Sequence, residues 1–222
     1  VRRPYTVIVS EVSIDGKLTL AKGVSSKILM SLMDEEANKY LHQIRADFDG
    51  IMVGANTVRT DNPNLTVRYV EGENPTRIIP TVSGEIPENS NILNTSVAPT
   101  IIAVCEKTPK EKVRMFESKG AKVIVSGEEK INFPELFEKL YALGIEKLIV
   151  EGGSSLNWEI LNNDLVDEIR LIHLPVVVGG EDVPTLAGGE GAKVLEKIKK
   201  FKIKNVFVLG NQVITEYVRL TE

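Results

Sequence analysis

Thiols are nearly missing from this chain: Cys105 is the one cysteine in 222 residues. A single thiol excludes an internal disulfide and any zinc site built from several thiolates. Its place in the apolar run Thr100 to Cys105 reads as a packed core thiol. Long apolar runs are missing too, since none reaches the ~18–20 residues that span a bilayer. Val1-Arg-Arg-Pro-Tyr5 enters a strand-like run without the apolar stretch or small-residue cleavage site of a secretory signal. A soluble, reduced, cytoplasmic setting is therefore expected. Charge of one sign is scarce: 27 Lys and Arg stand against 31 Asp and Glu, a net charge of −4. That field is too weak to recruit nucleic acid or an anionic membrane, so neither is an expected partner, and any phosphate must be held by local groups. Histidine is rare, with only His42 and His173, which leaves little for triad-type hydrolysis. His42 is expected on the surface near a helix end, and His173 as a satisfied core residue in an apolar strand. No metal site is expected. The 42% apolar fraction that remains is ordinary for a chain with a full core.

Strand and helix signals alternate, which predicts an α/β fold with a mostly parallel central sheet and helices on both faces. Strands are expected at Tyr5 to Val12, Gly50 to Val53, Thr76 to Ile79, Thr100 to Cys105, Val123 to Val125, Leu148 to Val150 and Val166 to Leu174. Apolar spacing places a helix from about Ser31 to Ala46, with Asp34, Glu35 and Glu36 complementing its dipole. Thr108-Pro109 reads as a hydroxyl cap opening another helix that stops near Gly120. Helices are also expected at Pro134 to Leu143 and at about Ser155 to Asn162, with Trp158 in the core. Asn205 to Leu209 and Val213 to Val218 flank Gly210-Asn211, a turn signal for a C-terminal antiparallel hairpin. The lysine-rich run Lys193 to Lys204 alternates with apolar residues and reads as an amphipathic edge. With no repeat, low-complexity tract or long linker, residues 1–222 read as one domain.

Two strand-to-turn junctions carry the chemistry. The first runs from Gly50-Ile51-Met52-Val53 through Gly54 into a polar segment that ends at Arg68, with hydroxyls at Thr57 and Thr60. Thr57 and Asp61, four apart, share one face of a short helix. Together they suit a nicotinamide amide or a ribose, or they are a capping hydroxyl and a turn aspartate before Asn62-Pro63. Arg68 suits a phosphate by bidentate contact, or it is a solvated strand-edge residue. The second junction runs from Leu148-Ile149-Val150-Glu151 into Gly152-Gly153-Ser154-Ser155, where helix-start amides offer an anion site. Two junctions of this design imply one anionic ligand bridging neighbouring strand ends. Glu151 would repel a phosphate and better faces a cationic or hydroxylated group. Asp15-Gly16-Lys17 reads as a β-turn, and Arg45 as a cation at a helix end. Pro175 to Gly180 lies over a ligand or turns a corner, and Gly188 to Gly191 looks mobile.

In order and spacing, six segments together resemble the riboflavin-biosynthesis reductase family, in a layout like its archaeal pyrimidinone 5′-phosphate reductases. They are Ser13 to Lys17 (SIDGK), Ile44 to Gly54 (IRADFDGIMVG), Thr57 to Arg68 (TVRTDNPNLTVR), Glu151 to Trp158 (EGGSSLNW), Leu165 to Glu168 (LVDE) and Pro175 to Gly180 (PVVVGG). The resemblance implies a dihydrofolate-reductase-like fold, an NADPH cofactor, a homodimer, and reduction of a ribosylamino to a ribitylamino group on a phosphorylated pyrimidine. Carried over by motif, Thr57, Asp61, Gly153, Ser154, Ser155 and Leu156 match cofactor contacts. Arg45, Leu65, Arg68, Glu151 and the loop residue Ser26 match the substrate side. Ser83, or Thr81, stands in for the family's Val-Asp-Ser serine, and Glu85 close behind leaves NADH open beside NADPH. In the mechanism that the resemblance implies, Glu151 stabilises iminium charge while Asp15 and Lys17 order the opened sugar. No His-x-Glu with a paired Cys-x-x-Cys, the mark of a fused zinc deaminase, occurs in these residues. A pterin or dihydrofolate reductase, or a nucleotide-binding regulatory module without turnover, are the rival expectations.

Overall fold

The computed structural model describes residues 2–220. In chain order the elements are β1 (Tyr5–Val12), α1 (Lys27–Met30), α2 (Glu35–Asp47), β2 (Gly50–Met52), α3 (Ala55–Asp61), β3 (Thr76–Pro80), β4 (Thr100–Val104), α4 (Lys110–Ser118), β5 (Lys122–Val125), α5 (Phe133–Ala142), β6 (Lys147–Val150), α6 (Ser154–Asn162), β7 (Glu168–His173), β8 (Phe201–Leu209) and β9 (Gln212–Arg219). Two compact units divide the chain. One joins the residues up to Tyr5 with His42–Ile149, and the other joins Thr6–Leu41 with the residues from Val150 on.

In the first unit the strand order is β5-β4-β3-β2-β6. Pairs β2–β3, β3–β4 and β4–β5 are parallel, with Gly50 opposite Thr76, Arg77 opposite Thr100 and Ile101 opposite Lys122. The middle strands are buried along their whole length: every residue of β2 and β4, and of β3 from Arg77 to Pro80. That is why Gly50–Met52 and Ile101–Val104 read as apolar runs rather than as alternating ones, while β3 buries a charge at Arg77 before its apolar residues. In the second unit the order is β1-β7-β9-β8. Here β1 and β7 are parallel, while β9 is antiparallel to both β7 and β8. The hairpin turns at Gly210, which sits at φ +59, and at Asn211, whose N–H donates to Asp34 Oδ2 at 3.0 Å.

Several boundaries differ from expectation for local reasons. The helix predicted from Ser31 begins at Glu35, because Asp34 Oδ1 accepts the Ala37 N–H at 3.0 Å and caps it. Thr108 does not cap α4. Its hydroxyl accepts the Cys105 N–H and donates to the Val82 carbonyl, and Pro109 precedes the first helical residue. The run Lys193 to Lys204 is not an amphipathic edge, since Val194, Leu195, Ile198 and Ile203 are all exposed. Cys105 is buried, as expected of a core thiol. Among the described residues no helix is long and apolar enough to cross a membrane.

Candidate active site

In the unit that holds His42–Ile149, the last turns of α2 present His42 and Arg45 three residues apart, hence on one face. Both are buried, at 2% and 3% exposure. His42 is therefore not the surface residue expected from sequence. Its Nδ1 accepts the backbone N–H of Arg68 at 2.9 Å, and its ring packs on Tyr69 with centroids 4.9 Å apart. Burial first, then the Arg45 and Arg68 cations, push its pKa down to about 3, so the ring is neutral near pH 7. An accepting Nδ1 puts the proton of the neutral ring on Nε2.

Thr66 links the two arginines. Arg45 Nη1 donates to its carbonyl at 3.1 Å, and Arg68 Nη1 to its hydroxyl at 2.8 Å. Arg45 thus does more than offset a helix dipole, because its guanidinium grips the loop that carries Arg68. Leu65, buried at 3%, occupies the left-handed region at φ +56, a conformation unusual for a branched side chain. The substrate-side residues Arg45, Leu65 and Arg68 are thereby brought together within this unit, whereas Ser26 lies in the other, half-buried, just before α1.

The loop is secured from below by two residues that the sequence reading passed over. Asn62 ends α3 in the left-handed region at φ +42. Its Oδ1 accepts the Asn91 N–H at 2.8 Å, and its carbonyl accepts Asn91 Nδ2 at 3.0 Å. Arg77, in the middle of β3 and 1% exposed, donates Nε to Thr100 Oγ1, Nη1 to the carbonyl of Asn91, and Nη2 to the carbonyls of Asn94 and Ala98. Nη1 also reaches the carbonyl of Asn64 at 3.4 Å. Burial lowers its pKa to about 10, which still leaves it charged near neutrality. A basic residue inside an apolar strand was the available signal, but its carbonyl partners lie 13 to 21 residues away and leave no local pattern.

Thr57 and Asp61 both lie in α3, one turn apart, as their spacing predicted. Asp61 is 9% exposed, and its Oδ1 accepts the Thr60 hydroxyl at 2.9 Å, so Thr60 already has a protein partner. Ser83 is exposed, and its Oγ accepts the Glu85 N–H at 3.2 Å in a small turn. Arg59 Nη1 donates to the Glu85 carbonyl at 2.8 Å and ties this turn to α3.

In the other unit, Glu151 follows β6 half-buried. Gly152 holds φ +92, which requires glycine, and an added Cβ would find only Asn157 Nδ2 at 3.8 Å. Gly153 starts α6 with no side chain capping the helix. The first turn of α6, with Ser154, Ser155 and buried Leu156, thus begins at an open, uncapped cradle that fits an anionic group. Gly188 and Gly189 of the later glycine loop pack against α6. Gly188 N–H donates to the Ser154 carbonyl at 3.1 Å, and a Cβ at Gly189 would stand 2.0 Å from Trp158 Cδ1. Trp158 is accordingly half-buried beneath this loop instead of lying in the core, and Asn157, fully buried, donates Nδ2 to the Leu186 carbonyl at 2.9 Å.

Asp15 and Lys17 lie in the predicted turn, where Gly16 has φ +78. Asp15 Oδ1 accepts the Ser13 hydroxyl at 2.7 Å and the Val178 N–H at 3.1 Å, and Oδ2 accepts the Gly179 N–H at 2.6 Å. These bonds, that from Ser13 foremost, hold its carboxyl well below the usual range. Lys17 Nζ donates to the Gly180 carbonyl at 2.6 Å. Both charges therefore meet the 178–180 loop. His173 is satisfied, with Nε2 2.9 Å from Thr215 Oγ1, but it is half-buried near the strand's end rather than in the core. Among the described residues no three His, Cys, Asp or Glu are grouped to hold a metal ion.

Comparison with known proteins gives this geometry a context. A family model described as the RibD C-terminal domain matches residues 4–215. The 2,5-diamino-6-ribosylamino-4(3H)-pyrimidinone 5′-phosphate reductase of Aquifex aeolicus is 60% identical, over 97% of this chain and 96% of its own. The protein of the same name from Methanothermobacter thermautotrophicus is 38% identical, over 97% and 98%. Among solved structures, a pyrimidine reductase-like protein from Corynebacterium diphtheriae superposes with a TM-score of 0.82. At 20% identity, covering 99% of this chain and 93% of that one, it speaks for the fold. The mostly parallel α/β architecture with its C-terminal hairpin is thus the dihydrofolate-reductase-like one that the motifs implied.

Proposed function

The chain belongs to the RibD C-terminal domain family, and from that premise we propose that it is a nicotinamide-dependent reductase of riboflavin biosynthesis. Its substrate is 2,5-diamino-6-ribosylamino-4(3H)-pyrimidinone 5′-phosphate, whose ribosylamino group becomes ribitylamino. The observation that carries this reading is 60% identity, along 97% of the chain, to a protein of that name. The reading treats residues 1–222 as one reductase domain, consistent with a family match that runs unbroken over 4–215.

Each site residue then has a proposed task. Thr57, Asp61, Ser83, Gly153, Ser154, Ser155 and Leu156 would hold the dinucleotide, and the uncapped start of α6 supports a phosphate there. A reduced nicotinamide, NADPH with NADH as the lesser candidate, supplies the hydride when bound. Arg68 and Arg45 clamp the substrate's 5′-phosphate, Leu65 lines the pyrimidine and Ser26 adds a hydroxyl. Glu151, as a carboxylate, stabilises the positive charge of the ring-opened iminium that the ribosylamine forms. Lys17 and Asp15 fix the 178–180 loop, and through it they order the opened sugar. Orientation by such contacts supplies several kcal/mol of the barrier reduction, on the order of the effective-molarity gains of intramolecular reactions. A homodimer in the cytoplasm completes the proposal. The exposed Ile203, Val206 and Val208 of β8 offer it an apolar surface, and sedimentation velocity tests it.

The enzymatic test is a side-by-side assay of NADPH and NADH oxidation with the ribosylaminopyrimidine phosphate and with dihydrofolate. Turnover of the first alone is expected. Turnover of dihydrofolate alone would make this a pterin-type reductase. Dinucleotide binding without oxidation of either would make it a regulatory module.

A further inference from the structure

We propose that His42 is a positioning residue for phosphate recognition: its unprotonated Nδ1 holds the backbone of Arg68, so that the guanidinium stays aimed at the substrate's 5′-phosphate. This inference rests on the reading of Arg68 as a phosphate clamp and goes beyond it by naming what keeps the clamp in place.

The residues on the page make the case. Arg68 follows Leu65, Thr66 and Val67 on a loop whose left-handed Leu65 turns the chain sharply. Arg68 is exposed, so the direction of its long, rotamer-rich side chain depends on where its backbone is held. Its guanidinium is steered by Thr66 Oγ1, but Thr66 sits on the same loop, so that bond moves with the loop. What attaches the loop to the rigid α2 helix is a pair of contacts: Arg45 Nη1 to the Thr66 carbonyl, and the Arg68 N–H to His42 Nδ1. Of these, the histidine contact is made by the residue that bears the clamp.

The choice of histidine is also explained. The acceptor must lie between two guanidinium groups without adding a third positive charge. A carboxylate there would compete with the phosphate for both arginines. A neutral imidazole accepts the N–H without adding charge, and is kept neutral by burial and by those same cations. The charged groups facing it are Arg45 and Arg68, and the Tyr69 ring covers one side.

The test compares H42L, H42N and H42Q with the wild-type protein. Steady-state kinetics would use the ribosylaminopyrimidine with and without its 5′-phosphate, with R68A as the control for the clamp. Asparagine carries its amide near the position of Nδ1, and glutamine near that of Nε2. For the phosphorylated substrate, H42L and H42Q are expected to raise KM about tenfold, the loss that follows when a partly buried N–H loses its acceptor, with kcat within about twofold. For the unphosphorylated substrate, kcat/KM should match wild type in all three variants, and H42N should recover most of the affinity. Equal losses for both substrates, or equal behaviour of H42N and H42Q, would show a merely structural histidine and overturn the proposal. Because H42N and H42Q are alike in polarity, their contrast remains readable even if H42L does not fold. Should R68A itself not distinguish the two substrates, the phosphate clamp is wrong and the role given to His42 falls with it. If R68A discriminates and the His42 variants do not, only the present inference fails.

Discussion

The Leu65–Arg68 loop and the Ser13–Lys17 turn both carry charged side chains on tightly folded backbone, yet they use them in opposite ways. In the turn the charges face the protein: Asp15 accepts from Ser13, Val178 and Gly179, and Lys17 donates to Gly180. In the loop the holding is delegated to neighbours. His42 takes the Arg68 N–H and Arg45 takes the Thr66 carbonyl, while Arg68 reaches Thr66 at its hydroxyl. Charged motif residues can therefore be spent on holding a neighbouring loop or sit on a loop that other residues hold, and only their hydrogen-bond partners tell the two apart.

Breaking the foundation of the loop should have the largest effect. Arg77→Met removes the donors that serve Thr100, Asn91, Asn94 and Ala98. Leaving buried carbonyls unsatisfied should cost on the order of 3 kcal/mol or more of unfolding free energy in urea titrations. No loss of stability would mean that the carbonyls find other partners. Next comes R68A itself, expected to raise KM for the phosphorylated substrate about ten- to a hundredfold, as for lost hydrogen bonds to a charged group. It should leave the melting temperature unchanged, since the side chain is exposed. A drop in stability with KM unchanged would move Arg68 to the structural side of the comparison.

A third prediction concerns pH. The His42 pKa is about 3 in the folded protein and ~6.5 in the unfolded chain. The unfolded state therefore binds the extra proton between these values. The resulting stability is fully present above about pH 6.5 and declines as pH falls toward 3. His173, whose pKa is also lowered by burial, adds to the same slope. The unfolding free energy of H42N should fall less steeply than that of wild type across this window, and parallel curves would contradict a buried neutral ring. The smallest effect is expected at Asp15. D15A should speed amide hydrogen exchange at Val178 and Gly179, with a secondary loss of kcat, because the loop loosens. A complete loss of kcat with exchange unchanged would give Asp15 a direct part in the reaction.

Much of this was legible in the sequence. Apolar runs located β2 and β4 closely, because strands buried on both faces keep their apolar character, whereas β8, exposed along most of its length, begins at Phe201 rather than at the expected Asn205. Gly152, Gly153 and the i,i+4 pair Thr57 and Asp61 fell where strand-to-helix junctions put them. The residues that hold the site were harder to see. His42 and Arg45 share a helix face by spacing, but no spacing shows that this face lies against the backbone of residues 66–68. Arg77, a charge inside an apolar strand, was passed over, and its partners are carbonyls of distant loops, atoms that have no sequence signature. Trp158 was misjudged for a related reason, since its cover is a glycine loop 31 residues on, where Gly189 lies over its ring.

The central claim is that this chain delivers a hydride to the former anomeric carbon of a phosphorylated ribosylaminopyrimidine. The most direct measurement is mass spectrometry of the product formed with cofactor deuterated at nicotinamide C4 on the transferred face. One deuterium at the first carbon of a ribityl chain is the predicted result. An unreduced substrate, or deuterium in the pyrimidine ring, would contradict the account.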